Sequence, residues 1–379
     1  MKFSTKLIHN EHKVDPHTGA SSTPIYLAST YHQFDIDHPG TYDYARSGNP
    51  TREALEHIIA ELEGGVAGFA FASGMAAIST TFLLFSAGEH VIVSEDVYGG
   101  TYRILTEVLS RLGIRSTLVD TTDIAAIEAA LTPETKGVYI ETPSNPLLKV
   151  TSIRQVTEFA KKNNLITIVD NTFLTPFYQK PLDLGADIVL HSATKFISGH
   201  SDIVAGLAVV KDESLAKRLG YLQNAFGAIL GVQDSWLVLR GLKTLKVRLE
   251  ASTASAEKIA KWLSQQSYVK AVYYTGLPTH PGHEVQNSQA SGHGAVLSFD
   301  LGSGELARKL MKSVQIPVVA VSLGSVESIL SYPCRMSHAS MPEEERKYRG
   351  ITDGLLRLSV GLEDSDDLIR DLKNALETE

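Results

Sequence analysis

Apolar positions along this chain recur in two periods. After Thr51, the residues Leu55, Ile58, Ile59 and Leu62 fall at helical spacing, and the run stops at Gly64 and Gly65, which predicts a helix between. Short apolar runs then alternate with helical patterns. "GFAFA" precedes "MAAISTTFLLF", "HVIVS" precedes "TYRILTEVLSRLG", "RSTLVD" precedes "DIAAIEAALT", and "GVYIE" precedes "SIRQVTEFAKKN", with "LITIVDN" and "DIVLHS" following. Strands apolar on both faces and separated by helices predict an α/β fold with a mostly parallel sheet. The stretch 231–265 reads as one long helix or two joined ones. Beyond it, "VKAVYYTG", "GAVLSFDL", "ELARKLMKSV", "LLRLSVGLE" and "DDLIRDLKNALE" predict a smaller α+β unit.

These patterns divide the chain into a poorly periodic arm (1–48), an α/β domain (49–238) and a C-terminal α+β domain (239–379). A polar, turn-rich arm is expected to order by docking, here onto a neighbouring subunit. The His- and Gly-rich segment 275–294 reads as a surface loop.

Composition narrows the function. With 379 residues and 43% hydrophobic content, the chain can bury a substantial core. A net charge of -8 without a basic run argues against nucleic-acid or anionic-membrane partners. One cysteine, Cys334, excludes an intrachain disulfide framework and suits a reducing compartment, so a cytoplasmic protein is expected. No stretch has the length of a membrane span and no secretory signal opens the chain. GxGxxG, GxxxxGK[ST] and GxSxG are all absent. No histidine pair has zinc-like spacing with a carboxylate partner; His280 and His283 stand in a Pro/Gly stretch, so no metal is expected.

The remaining chemistry lies at strand ends, where open parallel sheets bind ligands. "FAFASGMAA" runs from a strand through Gly74 and Met75 into a helix whose free N–H groups suit a phosphate, although an ordinary strand–helix turn looks the same. Asp170 follows the apolar run "LITIV" and needs a cation or several donors, or is simply a salt-bridged or capping residue. One strand later stands Lys195, beside Ser192 and Thr194 and running into Phe196 and Ile197. A lysine there is either neutralised by a partner or required uncharged. Pyridoxal 5'-phosphate (PLP) accounts for the set: Lys195 for the aldehyde, Asp170 for the pyridine nitrogen, hydroxyls and a helix end for the phosphate, and Tyr98 to stack on the ring. A lysine Schiff-base enzyme without PLP would leave Asp170 and the phosphate-binding turn without a purpose.

The ordered motifs "YDYARSGNPTREALE", "AFASGMAAI", "DVYGGTYR", "ETPSNPLL", "VDNTF", "HSATKFISGHSD", "VSLGSVESILSYP", "MSHASM" and "GLLRLSVGLED" span the chain. By them it resembles the PLP-dependent enzymes of cysteine and methionine metabolism (transsulfuration enzymes). The resemblance implies a PLP-dependent transferase-like fold (aspartate aminotransferase type, fold type I) and a homotetramer built from dimers. It implies that Lys195 is the Schiff-base lysine, Asp170 the pyridinium partner and Tyr98 the stacking tyrosine. Gly74, Met75, Ser192 and Thr194 match phosphate-binding positions, and Tyr44 and Arg46 match a pair donated from the neighbouring subunit. Without the resemblance, Arg46 reads as a surface arginine. Arg357 matches the residue that grips the substrate α-carboxylate, supported by Asn145 and Ser322.

Within the family, Val321 stands where enzymes that handle cystathionine by γ-chemistry resemble one another in having glutamate, and Gly100 stands where methionine γ-lyases have cysteine. Arg103 either faces the distal carboxylate of a cystathionine-sized substrate or is a surface arginine. The runs around 223–250, 318–333 and 350–364 are similar to the bacillus-type cystathionine β-lyases, which implies β-elimination. γ-Lyase, homocysteine γ-lyase and γ-synthase remain the alternatives, with a non-catalytic PLP-binding regulator as a remote one.

Overall fold

The apolar runs form strands of one central sheet: β1 (Ala67–Phe71), β2 (His90–Ser94), β3 (Arg115–Val119), β4 (Thr135–Glu141), β5 (Ile166–Asp170), β6 (Ile188–Ser192) and β7 (Gly206–Val210). This computed structural model describes residues 1–9, 14, 15, 17–339 and 341–377. Residues 10–13 and 16 of the expected arm, and Ser340 of "MSHASM", lie outside that set. The strand order is β1-β7-β6-β5-β4-β2-β3, and only β7 runs against the others. Successive strand residues point to opposite faces. Ile92, Val138, Ile140, Val169 and Val189 therefore enter one apolar cluster, and Val91, Val93, Tyr139, Ile168, Ile188 and Leu190 the other. Both faces are covered, so no polar alternation is visible in these strands.

The helix predicted after Thr51 runs Pro50–Glu63, capped by the Asn49 side chain and ended by Gly64 at φ 80°. Its Leu55, Ile58, Ile59 and Leu62 are all buried, each contributing about 1.5–3 kcal/mol through removal from water. On the opposite face of the sheet, the helix Gly74–Phe82 buries Ala77, Ile78 and Phe82. The stretch 231–265 resolves into two helices, Val232–Leu242 and Leu245–Leu263. They lead to a second sheet of β8 (Ala271–Tyr273), β9 (Val296–Asp300), β10 (Val318–Val319), β11 (Ile329–Ser331) and β12 (Leu355–Ser359), ordered β10-β11-β12-β9-β8.

Two expectations change. Residues 275–294 are not a plain surface loop. They contain the helix His283–Gln289, whose buried Gln289 accepts the Ile153 N–H and donates to the Thr151 carbonyl, tying the segment to the start of another helix. The run "TYRILTEVLSRLG" is an α-turn (Gly99–Arg103), a wider π-turn (Ile104–Val108) and a tight 3₁₀ turn (Leu109–Leu112) rather than one helix. The arm leans partly on its own chain: the helix Phe3–His9 buries Leu7, Lys6 pairs with Glu61 at 3.0 Å, and Phe3 packs on Phe177. Further along the arm, Leu27, Phe34 and Ile36 are exposed.

One buried cation braces the segment after β6. The Arg248 guanidinium donates to the carbonyls of Phe196 (2.7 Å), Ile197 (3.2 Å) and Gly241 (2.8 Å), and its Nε donates to the Thr244 hydroxyl. Arg248→Met keeps the bulk of the stem and strands those acceptors. It is expected to cost about 3 kcal/mol, read as a lower urea midpoint. A loss below about 1 kcal/mol would contradict the bracing role.

Candidate active site

Strand termini converge because β1, β2, β4, β5 and β6 all point their carboxyl ends to one edge. A cavity of about 510 Å³ lies there. Its walls carry Gly74, Met75, Tyr98, Arg103, Asn145, Asp170, Ser192, Thr194, Lys195, Ser322 and Arg357. Eleven of the thirteen residues expected from the sequence are thus brought together.

Lys195 follows β6 by three residues, and its Nζ donates to the Ser322 hydroxyl at 2.5 Å. Burial, with the Arg357 cation nearby, lowers its pKa to about 8. The amine is therefore much more readily neutral than an exposed lysine. Ser322 adopts φ 92°, a left-handed backbone that is uncommon outside glycine. Gly324 two residues on allows the close approach: a Cβ there would lie 2.6 Å from the Phe196 nitrogen.

Asp170 closes β5. Its Oδ1 accepts the Thr172 N–H (3.0 Å) and hydroxyl (2.6 Å), and Oδ2 accepts the Tyr139 hydroxyl (3.2 Å). Burial pushes its pKa up, opposed by the Thr172 bonds. No hydrogen-bonded cation balances it among the described residues, so it suits a ligand that brings an N–H⁺.

Arg357, in the middle of β12, is buried. Its Nη1 donates to the Asn145 Oδ1 (2.6 Å), and its Nη2 to the Ser322 carbonyl (2.6 Å) and the Ser331 hydroxyl (3.1 Å). Burial lowers its pKa to about 10, which leaves it cationic at neutral pH. Its Nε is buried without a partner.

The helix Gly74–Phe82 presents its N-terminus to the same cavity, and the Ser73 side chain takes only the Ala76 N–H. Gly74 permits this packing, since a Cβ would lie 2.9 Å from the Ser192 Cβ. Thr194 departs from a free donor: its hydroxyl donates to the Ala205 carbonyl and accepts the Ala205 N–H.

Tyr44 and Arg46 do not line this cavity in their own chain. Arg46 donates to the Asn224 carbonyl and side chain, 2.8 and 3.0 Å away, with its guanidinium over the Tyr44 ring. His280 and His283 are engaged internally. His280 Nδ1 accepts the Gly282 N–H, and His283 Nδ1 donates to the Thr275 carbonyl. Among the described residues no group of three or more His, Cys, Asp or Glu is arranged to hold a metal ion.

The structure adds Glu141, Tyr139 and Thr172 to the site. "GVYIE" ends an apolar run on a carboxylate as "LITIVD" does, and that signal points to Glu141.

A neutral-prone lysine, a buried carboxylate awaiting an N–H⁺, and a free helix N-terminus fit an aldehyde, a pyridine nitrogen and a phosphate. Fold and site together define a fold type I, PLP-dependent enzyme. The chain belongs to the Cys/Met metabolism PLP-dependent enzyme family, which it matches over residues 4–377. It is 61% identical over 374 residues to cystathionine beta-lyase MetC of Bacillus subtilis, covering 99% of this chain and 96% of that one. Identity to the cystathionine gamma-lyase of the same bacterium is 52%, covering 100% of both chains. The crystal structure of Lactobacillus plantarum cystathionine gamma-lyase complexed with L-serine superposes with a TM-score of 0.97 at 50% identity, covering 99% of this chain and 98% of that one.

The lowered pKa of Lys195 has a stability consequence in cofactor-free protein. Between about pH 8 and the ordinary lysine value of 10.5, the unfolded chain binds the proton and the folded chain does not. Stability relative to Lys195→Met therefore rises with pH through that window. Urea midpoints of the two proteins at pH 7 and pH 10 check this; a constant difference would contradict it.

Proposed function

We propose that this enzyme is a cystathionine β-lyase that splits L-cystathionine into homocysteine, pyruvate and ammonia and serves methionine formation. The observation that carries β- over γ-cleavage is the 61% identity to a bacterial β-lyase against 52% to the γ-lyase of the same organism. Val321 on the cavity wall agrees, being apolar and 62% exposed.

PLP supplies an electron-poor ring that takes up the electron pair left when the substrate Cα loses its proton. Arg357 grips the α-carboxylate through the edge N–H groups left free on a guanidinium already oriented by Asn145, Ser322 and Ser331. Asp170 holds the ring nitrogen in its cationic form. Lys195 Nζ, as the neutral amine that its burial favours, would remove the Cα proton, with Ser322 orienting it. The C–S bond breaks, and Lys195 or the Tyr98 hydroxyl protonates the departing thiolate. The three-carbon enamine that remains reacts with water to give pyruvate and ammonia. Arg103 faces the cavity to receive the distal carboxylate.

The assembly on this reading is a homotetramer of dimers in the cytoplasm, in which arm residues Tyr44 and Arg46 complete the phosphate site of a neighbouring subunit. The chain divides into the arm (1–48), the cofactor-binding unit (49–238) and the C-terminal unit (239–379). Exposed Leu27, Phe34 and Ile36 on the arm support a partner surface there. No described helix is long and apolar enough to cross a membrane.

Product analysis tests the reaction. Homocysteine with pyruvate is expected from cystathionine, whereas cysteine with 2-oxobutyrate would make the enzyme a γ-lyase, the second reading that the Lactobacillus plantarum structure favours. A further prediction concerns the arm. Mixing inactive Arg46→Ala and Lys195→Ala proteins is expected to restore activity in hybrid dimers, and verified hybrids without recovery would refute the cross-subunit role.

A further inference from the structure

Glu141 stands at the centre of the site without a part in the chemistry above. It ends β4, is buried, lines the cavity and sits in register with Asp170 of β5. Its Oε2 accepts the Tyr98 backbone N–H at 2.9 Å, and the Asn145 backbone also hydrogen-bonds its carboxyl. No cation is hydrogen-bonded to it among the described residues.

Two buried carboxyls side by side on one face of a sheet are costly, through desolvation and like charge. A cost of that kind persists where function requires it. Burial first, and the Asp170 carboxyl second, hold Glu141 well above the usual carboxylate range. In either protonation state Glu141 offers an oxygen to the Tyr98 N–H. Tyr98 and Asn145 lie on different loops, after β2 and after β4. Asn145 in turn holds Arg357. One carboxyl thus ties the wall that carries the Tyr98 ring to the loop that orients the substrate-binding arginine.

We propose that Glu141 is a positioning residue, which sets the pose of the Tyr98 ring by holding the Tyr98 backbone and is not itself a reacting group. The inference rests on the PLP-dependent reading of the site, which makes Tyr98 the residue that faces the ring.

The test uses holoenzyme with Glu141→Leu, which keeps the volume and removes the acceptor, and Glu141→Gln, which keeps an oxygen of the same reach. Glu141→Leu at full cofactor content is expected to change the visible circular dichroism of the bound cofactor and lower kcat by about tenfold. Glu141→Gln recovers most of that loss. In a Tyr98→Ala background, Glu141→Leu costs less than about twofold more, because its effect passes through the missing ring. An undiminished loss in that background, unchanged dichroism and kcat in Glu141→Leu, or Gln as damaging as Leu would each overturn the proposal. Should Glu141→Leu fail to fold, Glu141→Gln alone decides: dichroism kept and kcat within about threefold support it, and a larger loss overturns it. The dichroism needs no substrate, so a wild-type enzyme that rejects cystathionine would refute the substrate assignment and leave this test standing.

Discussion

Ser322 joins the two halves of the molecule at the point where their chemistry meets. Its hydroxyl accepts Lys195 from the large-sheet side, and its carbonyl accepts Arg357 from the small sheet. A residue at φ 92° is held there against its own preference, by Gly324 packing on the backbone beyond Lys195 and by the Ser359 hydroxyl, which accepts the Gly324 N–H. Were this loop to move, the Lys195 amine and the Arg357 cation would lose their common reference.

Around that junction burial and neighbouring charges set the state of each group. Lys195 is pushed toward neutrality by burial and by the Arg357 cation. The two carboxyls at the ends of β4 and β5 stand side by side, both raised by burial, and Glu141 lies close enough to Arg357 to favour its charge. On the reading proposed above, proton removal would use a neutral amine beside a fixed cation, and a carboxylate would pair with the ring nitrogen. The parallel strands of the large sheet bring Asp170 and Lys195 to one edge, and the mostly antiparallel second sheet brings Arg357 to meet them.

Much of this is legible along the chain, for particular reasons. Strands buried on both faces leave uninterrupted apolar runs, so β2, β4, β5 and β6 are visible, as are Asp170 and Lys195 that end or follow two of them. β7 and the helix Glu213–Phe226 are not. β7 follows a turn-rich segment and runs antiparallel, so it lacks the helix that would announce it. The run 99–112 reads as one regular helix, yet its backbone changes winding twice, a packing effect that no single-residue preference records.

Residue type and order by themselves determined the fold class and the cofactor, and they brought Lys195 and Asp170 forward as candidates, because such chemistry needs a specific side chain at a strand end. Tertiary structure alone decided which polar groups meet. Register placed Glu141 against Asp170. A loop more than a hundred residues downstream supplied the oxygen that receives Lys195, and Arg248 was carried in to brace the turn after it. Such partners are close in space and distant in sequence, and they are chosen by packing and by the need to satisfy buried polar groups, neither of which has a period along the chain.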